Sequence, residues 1–83
     1  MEPSSPDDTW TPYVRELGLA LGRARARRGL SQERVAAAAG LSAFTYRKLE
    51  KGESNPGTPA NPRLRTLVAL AEVLEIPVAA LLP

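Results

Sequence analysis

The stretch SQERVAAAAGLSAFTYRKLEKG, residues 31–52, decides the fold, because it contains two short helical runs separated by only three residues. Ser31 precedes the first run and Ser42 the second, and a serine at such a position accepts a hydrogen bond from a free backbone N–H of the first turn. Gly40 supplies the left-handed conformation that ends a helix at low cost. The stretch therefore predicts two helices, over residues 32–39 and 43–51.

The two runs must cross at a steep angle, because so short a connection does not let them lie side by side. Val35, Ala36 and Ala39 form the inward face of the first run, and the small alanines permit close contact where the helices cross. Tyr46 and Leu49 continue the apolar face on the second run. This pattern predicts a helix-turn-helix, whose second helix can project from the domain and enter a major groove.

The residues before this stretch divide into a tail and a helix. Residues 1–11 are rich in Pro, Ser and Asp and lack apolar periodicity, which indicates a disordered or loosely docked tail. Trp10 is the exception, and we expect it to cap the edge of the core. Thr11 and Pro12 suit a helix start, so a helix is predicted over residues 12–28. Its apolar stripe is Val14, Leu17, Leu21 and Ala24.

The residues after this stretch form a loop and two further helices. Residues 52–61 are dense in turn-forming residues and predict an extended loop without a strand. Asn61 and Pro62 repeat the signal of a cap followed by proline, which predicts a fourth helix over residues 62–75. Residues 78–82 are expected to form a short fifth helix. The apolar stripe of the fourth helix is Leu64, Leu67, Val68, Ala71 and Leu74.

Length and composition favour one small all-α domain of five helices over residues 12–83, with the helix-turn-helix formed by helices 2 and 3. The chain has 83 residues, close to the size at which a single core is just sufficient. It has no cysteine and no histidine, which excludes disulfides and removes the commonest general base and metal ligand. No segment has membrane-spanning length and no secretory signal is evident, so a cytoplasmic protein is expected.

Positive charge is concentrated around the stretch that decides the fold. Residues 13–51 carry nine basic and three acidic side chains, a net charge of +6, whereas residues 1–12 carry −3 and residues 52–83 carry −1. A basic region of this kind is typical of nucleic-acid binding, and a charge-rich, solvated helix surface looks the same. Charge alone leaves both interpretations open.

Four segments of the chain resemble the lambda-repressor-like, or Cro/XRE, family of helix-turn-helix proteins. They are LGLALGRARARRGLSQ, the pattern Gln32-x-x-Val35-Ala36-x-x-Ala39-Gly40-Leu41-Ser42, the run Leu49-Glu50-Lys51-Gly52, and LAEVLEIPVAALL. They span about residues 17–82, and their combined spacing is far more specific than any single piece. The resemblance implies a transcriptional regulator that binds a specific sequence of double-stranded DNA with its third helix in the major groove.

The resemblance assigns DNA contacts to six residues: Gln32, Ala43, Phe44, Thr45, Arg47 and Lys48. Gln32 is expected to contact phosphate together with the amides at its helix N-terminus. Arg47 is the best base reader, since a guanidinium binds a guanine edge through two hydrogen bonds, and Lys48 could read a base or neutralise a phosphate. Ala43 and Phe44 can offer only apolar contact, for example to a thymine methyl, and Phe44 could equally fold back onto the body. For both cations, plain solvated charge is the alternative.

Three further expectations follow from the resemblance. Arg25 and Glu50 match a pair that joins the first and third helices in the family, and we expect it to fix helix orientation more than to add net stability. Tyr46 stands where the family usually carries an aliphatic residue, so the core must accommodate a ring and satisfy a hydroxyl. The loop after Gly52 exceeds the family's compact form by an apparent insertion, GTPANP, which is expected to be a tolerated surface loop.

Double-stranded DNA is the expected partner, together with a weak homodimer through residues 78–82, because one recognition helix reads too few base pairs for a genomic address. The sequence indicates no membrane contact, small-molecule ligand, cofactor or metal. The leading alternative is a protein-interaction module, an adaptor or an antitoxin with the same fold. Mutation of Arg47 together with Lys48 separates the two, since only DNA binding should suffer directly. An enzyme is a distant third, because the acidic residues form no evident cluster.

Overall fold

The computed structural model describes residues 6–83, which form four α-helices, a two-stranded β-hairpin and a final 3₁₀ turn. The helices are α1 (Pro6–Arg28), α2 (Gln32–Ala38), α3 (Ala43–Glu50) and α4 (Leu64–Leu74). The hairpin consists of β1 (Glu53–Asn55) and β2 (Thr58–Pro59), and the 3₁₀ turn is Val78–Leu81. The expected fifth helix is therefore only this turn, and the expected all-α fold contains a small sheet. No helix in this part of the chain is long and apolar enough to cross a membrane.

The first helix begins earlier than the sequence predicts. α1 starts at Pro6 rather than at Pro12, so residues 6–11, which were expected to belong to a tail, are helical. The rest of that predicted tail, residues 1–5, lies outside the described part of the chain. Pro12 stands inside the helix, where its missing N–H removes one intrahelical hydrogen bond.

Tertiary contacts of Trp10 hold this N-terminal part of α1. Its indole stacks on Tyr13, with ring centroids 5.6 Å apart, and its indole N–H donates to the carbonyl oxygen of Ala60 at 2.8 Å. The ring is partly buried against the core, as expected for a residue at its edge. The hydrogen bond to Ala60, 50 positions away, together with the local stacking on Tyr13 explains why a stretch without apolar periodicity is helical.

Two serine caps define the helix-turn-helix, as the sequence predicts. Ser31 Oγ accepts a hydrogen bond from the backbone N–H of Arg34 at 3.1 Å, and Ser42 Oγ accepts one from that of Thr45 at 3.0 Å. Gly40 has a φ of 77°, the left-handed conformation that ends α2 and turns the chain into α3. The connection is thus made by local hydrogen bonds and one backbone turn.

A single apolar core joins the helices, Ala60 at the end of the hairpin and the 3₁₀ turn, and Tyr46 is its largest fully buried side chain. Burial of such side chains is the main favourable term in folding a domain of this size. The buried residues of the core are Val14, Leu17, Leu21, Ala24, Val35, Ala36, Tyr46, Leu49, Ala60, Leu67, Leu70, Ala71, Leu74 and Leu81.

α1 and α3 come into backbone contact at Gly18. A Cβ atom at this position would lie 2.5 Å from the carbonyl oxygen of Glu50 and 2.6 Å from that of Leu49. Since non-bonded heavy atoms prefer separations of about 3.5–4.0 Å, only glycine allows the two helices to lie this close. The C-terminal end of α3 is therefore fixed directly on the backbone of α1.

The loop predicted over residues 52–61 contains the hairpin, so the expectation of no strand is wrong. β1 and β2 pair antiparallel, with Asn55 opposite Thr58, and the pairing is irregular. The base of the hairpin is closed by a hydrogen bond from the backbone N–H of Ala60 to the carbonyl oxygen of Gly52, at 2.8 Å. Strands of three and two residues are too short to show an alternating apolar pattern. Their pairing is set by the turn between them.

The C-terminal elements also differ from their predicted bounds. α4 begins at Leu64, and its N-cap is Arg63, without a side-chain hydrogen bond, rather than Asn61. It ends at Leu74, and its C-cap Glu75 has a φ of 57°, in the left-handed region. An ion pair to Arg28 ties Glu75 to the end of α1. In the turn that follows, Leu81 is fully buried, so the C-terminal segment completes the core.

Candidate nucleic-acid interface

α3 presents one buried and one exposed face. Tyr46 and Leu49 are buried in the core, whereas Phe44 is 64% exposed and Arg47 is exposed beside it along the helix. Residues three and four positions apart share one face of a helix. The exposed face of α3 therefore carries aromatic and basic side chains together, on a helix whose opposite face is fixed.

The N-terminal end of α3 is held by reciprocal contacts between its cap and its first turn. Ser42 Oγ donates to Thr45 Oγ1 at 2.9 Å and accepts from the Thr45 backbone N–H. Thr45 is exposed, whereas Ala43 is partly buried against the core. Of the residues predicted to contact DNA from α3, Ala43 and Lys48 are thus partly buried, and Ala43 is the one that packs against the core.

Phe44 and Lys48 lie against each other on the exposed face. The ammonium nitrogen of Lys48 is 4.2 Å from the centroid of the Phe44 ring, a geometry in which the cation is attracted to the π face. Of the two alternatives that the sequence left open for Phe44, folding back into the core does not occur. The ring stays at the surface and holds the neighbouring cation.

Arg47 is paired with a residue that the sequence did not single out. One of its guanidinium nitrogens donates to Glu33 Oε1 at 3.1 Å, and both side chains are largely exposed. An exposed ion pair contributes only about 0.2–1 kcal/mol, so it can be exchanged for another partner. The signal for this contact was weak, because it depends on how α2 crosses α3.

Gln32 lies in a network at the opposite end of α3. Its amide nitrogen donates to Glu50 Oε1 at 2.9 Å. Arg25 Nε donates to Glu50 Oε2 at 2.6 Å, and another nitrogen of the same guanidinium donates to the carbonyl oxygen of Leu30 at 3.1 Å. The network joins α1, α2 and α3 through one carboxylate. The amide donors of Gln32 are therefore partly committed to protein contacts.

The charge of this network is well supported. Burial alone would raise the pKa of the Glu50 carboxyl, but the polar groups that face it, first Arg25 and then Tyr46 and Gln32, outweigh burial, and this pKa lies below its ordinary value. In the folded protein at neutral pH, Glu50 is accordingly ionised, and its negative charge balances the guanidinium of Arg25. The pair joins α1 to α3, which also meet at Gly18.

The hydroxyl of Tyr46 is not satisfied as the sequence led us to expect. The ring is fully buried, and its hydroxyl faces the pair of Arg25 and Glu50, but within residues 6–83 it makes no hydrogen bond of good geometry. Burial raises the pKa of this hydroxyl, which keeps it neutral. An unpaired buried hydroxyl lowers the free energy of unfolding. The ring of Tyr46 therefore stabilises the fold by packing, whereas its hydroxyl oxygen does not.

A groove that the sequence did not predict runs beside the exposed face of α3. It has a volume of about 220 Å³ and lies between α3, the hairpin and the segment that leads into α4. Thr45 and Lys48 line one side, and Ser54 and Asn61 line the other. Sequence patterns did not indicate this groove, because the hairpin that forms one of its walls was not predicted.

Comparison with known proteins agrees with this arrangement. Residues 16–82 match the family model described as "Helix-turn-helix domain". Among solved structures, the restriction-modification controller protein C.AhdI from Aeromonas hydrophila is similar, with a TM-score of 0.72 and 29% sequence identity over 82% of this chain and 94% of that one. No curated protein sequence matches the chain.

Proposed function

Because the chain belongs to the helix-turn-helix domain family, in its Cro/XRE form, we propose that it is a transcriptional regulator that binds a specific sequence of double-stranded DNA with α3 in the major groove. The observation that carries this proposal is the exposed face of α3, where Phe44, Arg47 and Lys48 stand together. The opposite face of the same helix is buried. A helix anchored in this way offers a rigid surface of the right width for the groove.

The side chains of this face divide the work by their chemistry. Arg47 leaves the exposed carboxylate of Glu33 and binds a guanine edge through two hydrogen bonds. Thr45, at the capped end of α3, contacts the backbone of the DNA, and Ala43 adds at most an apolar contact. Gln32 and the amides at the start of α2 contact phosphate; the Gln32 side chain does so through the second N–H of its amide, since the first is donated to Glu50.

Transcriptional control is supported by the relative of known role. C.AhdI is described as a restriction-modification controller protein, and a small DNA-binding domain can control transcription simply by occupying or marking a promoter. We infer the same class of action for this chain, in the cytoplasm and on the nucleoid. Which operator it binds follows from the experiment below.

A weak homodimer is the form in which we propose that the protein reads an operator. One recognition helix reads only a few base pairs, and two helices about 34 Å apart read an inverted repeat on one side of the DNA. Residues 78–82 supply the contact, through Leu82, which is 42% exposed, and the exposed Ala79 and Ala80. Leu81 takes no part, since it belongs to the core.

Selection of bound duplexes from a random DNA library tests the proposal. A single enriched motif is expected, and the double variant Arg47→Ala, Lys48→Ala should fail to select it while it remains folded. If no motif is enriched and a partner protein still binds the double variant, the protein-interaction alternative is correct. Sedimentation with the selected duplex then tests the dimer, which one monomer on an asymmetric motif would rule out.

A further inference from the structure

The starting observation is that Phe44 and Lys48 behave as one unit. They are four residues apart on α3, and the ammonium of Lys48 lies 4.2 Å from the ring centroid of Phe44. Side chains on a helix lean toward its N-terminus, so Lys48 reaches back over the ring of the preceding turn. The unit therefore lies toward the N-terminal end of α3, the end at which recognition helices approach base edges.

The ring of Phe44 is placed for an apolar contact outside the protein. It is 64% exposed, and the cation occupies one of its faces. Much of the rest of the side chain is accessible to solvent. The apolar group that a major groove offers on its base edges is the C5-methyl of thymine. The exposed ring matches this methyl in both size and chemistry.

The ammonium of Lys48 is placed for a polar contact beside it. It carries three donors and no acceptor, and guanine is the base that presents two acceptors, O6 and N7, in the major groove. A methyl in contact with the ring lies about 3.5–4.0 Å from ring carbons. The methyl group and the ammonium nitrogen, on either side of the ring, are thus about 8 Å apart. Since successive base pairs are about 3.4 Å apart along the axis, the two contacts fall on neighbouring base pairs.

We propose that Phe44 and Lys48 jointly read a thymine and a neighbouring guanine in the operator, with the ring contacting the thymine methyl and also fixing the ammonium on the guanine. This inference rests on the proposed function, because it requires α3 to lie in the major groove. It adds that the contact made by Lys48 depends on Phe44, whereas the contact made by Phe44 does not depend on Lys48. The ring serves both contacts, whereas the ammonium serves only one.

Duplexes from the random-library selection provide the probe. In one duplex, deoxyuridine replaces the thymidine, which removes only the methyl. In another, 7-deazaguanine replaces the guanine beside that thymidine, which removes only the N7 acceptor. Loss of the methyl should weaken binding of the parent protein about fourfold, and loss of N7 should weaken it about tenfold. Both effects are read as ratios of dissociation constants at one salt concentration.

Two variants separate the roles. Phe44→Ala should abolish the methyl effect and also reduce the 7-deazaguanine effect, because the ammonium is no longer held. Lys48→Met keeps an unbranched side chain over the ring; it should abolish only the 7-deazaguanine effect and keep the methyl effect. Leu19→Ala, which shortens an exposed apolar side chain on α1, is the matched control and should keep both. Circular dichroism checks that each variant is folded.

The outcomes distinguish the inference from the function on which it rests. If no motif is enriched, the proposed function fails. If a motif is enriched but contains no thymine beside a guanine, or if Phe44→Ala keeps the full methyl effect, the inference is wrong and the function stands. Lys48→Met that reduces the salt dependence but keeps the 7-deazaguanine effect would place Lys48 on a phosphate and would equally overturn it.

Discussion

Trp10 donates its indole N–H to the carbonyl oxygen of Ala60 over 2.8 Å, although the two residues are 50 positions apart. Ala60 in turn donates its backbone N–H to Gly52, the residue that follows the C-cap of α3. The N-terminal part of α1 and the base of the hairpin thus hold each other, and both are connected to the C-terminal end of α3.

Removing this hydrogen bond should weaken the fold without breaking it. Trp10→Phe keeps a ring against Tyr13 but leaves the carbonyl oxygen of Ala60 without its donor, so we expect the free energy of unfolding to fall by about 1 kcal/mol. Urea denaturation followed by circular dichroism measures it. Leu19→Ala, at an exposed position of the same helix, should change stability by less than about 0.5 kcal/mol. Equal midpoints for Trp10→Phe and the parent would show that the bond contributes nothing.

The two ion pairs on α3 should respond differently to loss of their carboxylates. Glu50→Gln leaves the guanidinium of Arg25 without its counter-charge, in a pair whose side chains are 23% and 12% exposed, and should lower the free energy of unfolding by about 1–3 kcal/mol. Glu33→Gln, the matched control, removes a carboxylate that is 65% exposed and should cost less than about 1 kcal/mol. Similar losses in thermal denaturation of both variants would contradict the burial of the first pair.

Acid should remove the contribution of Glu50 in a defined direction. Its pKa in the folded protein is below the ordinary value of 4.5, so its stabilising effect is complete above that value and is lost as the pH falls through the folded-state pKa. The difference in unfolding free energy between the parent and Glu50→Gln should therefore be largest at neutral pH and should shrink below about pH 4.5. Urea denaturation at a series of pH values checks this, and a difference that grows in acid would reverse the sign.

Tyr46→Phe should be harmless or stabilising, since it keeps the buried ring and removes an oxygen that has no partner among the described residues. We expect the free energy of unfolding to stay equal or rise by about 1 kcal/mol. Tyr13→Phe is a control at the other tyrosine, which is half-buried, and should shift it by less than about 0.5 kcal/mol. A loss above about 1 kcal/mol in the Tyr46 variant would mean that its hydroxyl is hydrogen-bonded in solution.

Binding to the selected DNA should weaken steeply with salt. If the α2 and α3 termini neutralise several phosphates, the logarithm of the affinity falls linearly with the logarithm of the salt concentration, by roughly 0.9 per phosphate. Fluorescence anisotropy of a labelled duplex measures this slope. Arg23→Gln, an exposed charge on α1, should leave the slope close to that of the parent, whereas a flat response of the parent itself would contradict an electrostatic interface.

The helix-turn-helix could be predicted from sequence because its signals are local. Ser31, Gly40 and Ser42 act within one turn of the helices that they begin or end, and the observed ends of α2 and α3 differ from the predicted ones by a single residue. The tail and the loop could not be predicted in the same way. Their structure depends on the contact between Trp10 and Ala60, and no local sequence signal predicts a contact between residues 50 positions apart.

The candidate site shows the same division. That Phe44 and Arg47 share an exposed face follows from helical periodicity. Their partners do not follow from it, because the contact of Arg47 with Glu33 spans 14 positions and that of Gln32 with Glu50 spans 18. Such contacts depend on the crossing angles of the helices, which sequence spacing only bounds.

The backbone contact at Gly18 separates what this domain can change from what it cannot. The residues of α3 that rest on α1, Leu49 and Glu50, are confined by a distance that leaves no space for even one methyl group. The exposed side of the same helix carries no such restriction. We expect a library randomised on that side alone to yield folded proteins with altered DNA sequence preferences, because the packing of α3 on α1 does not change.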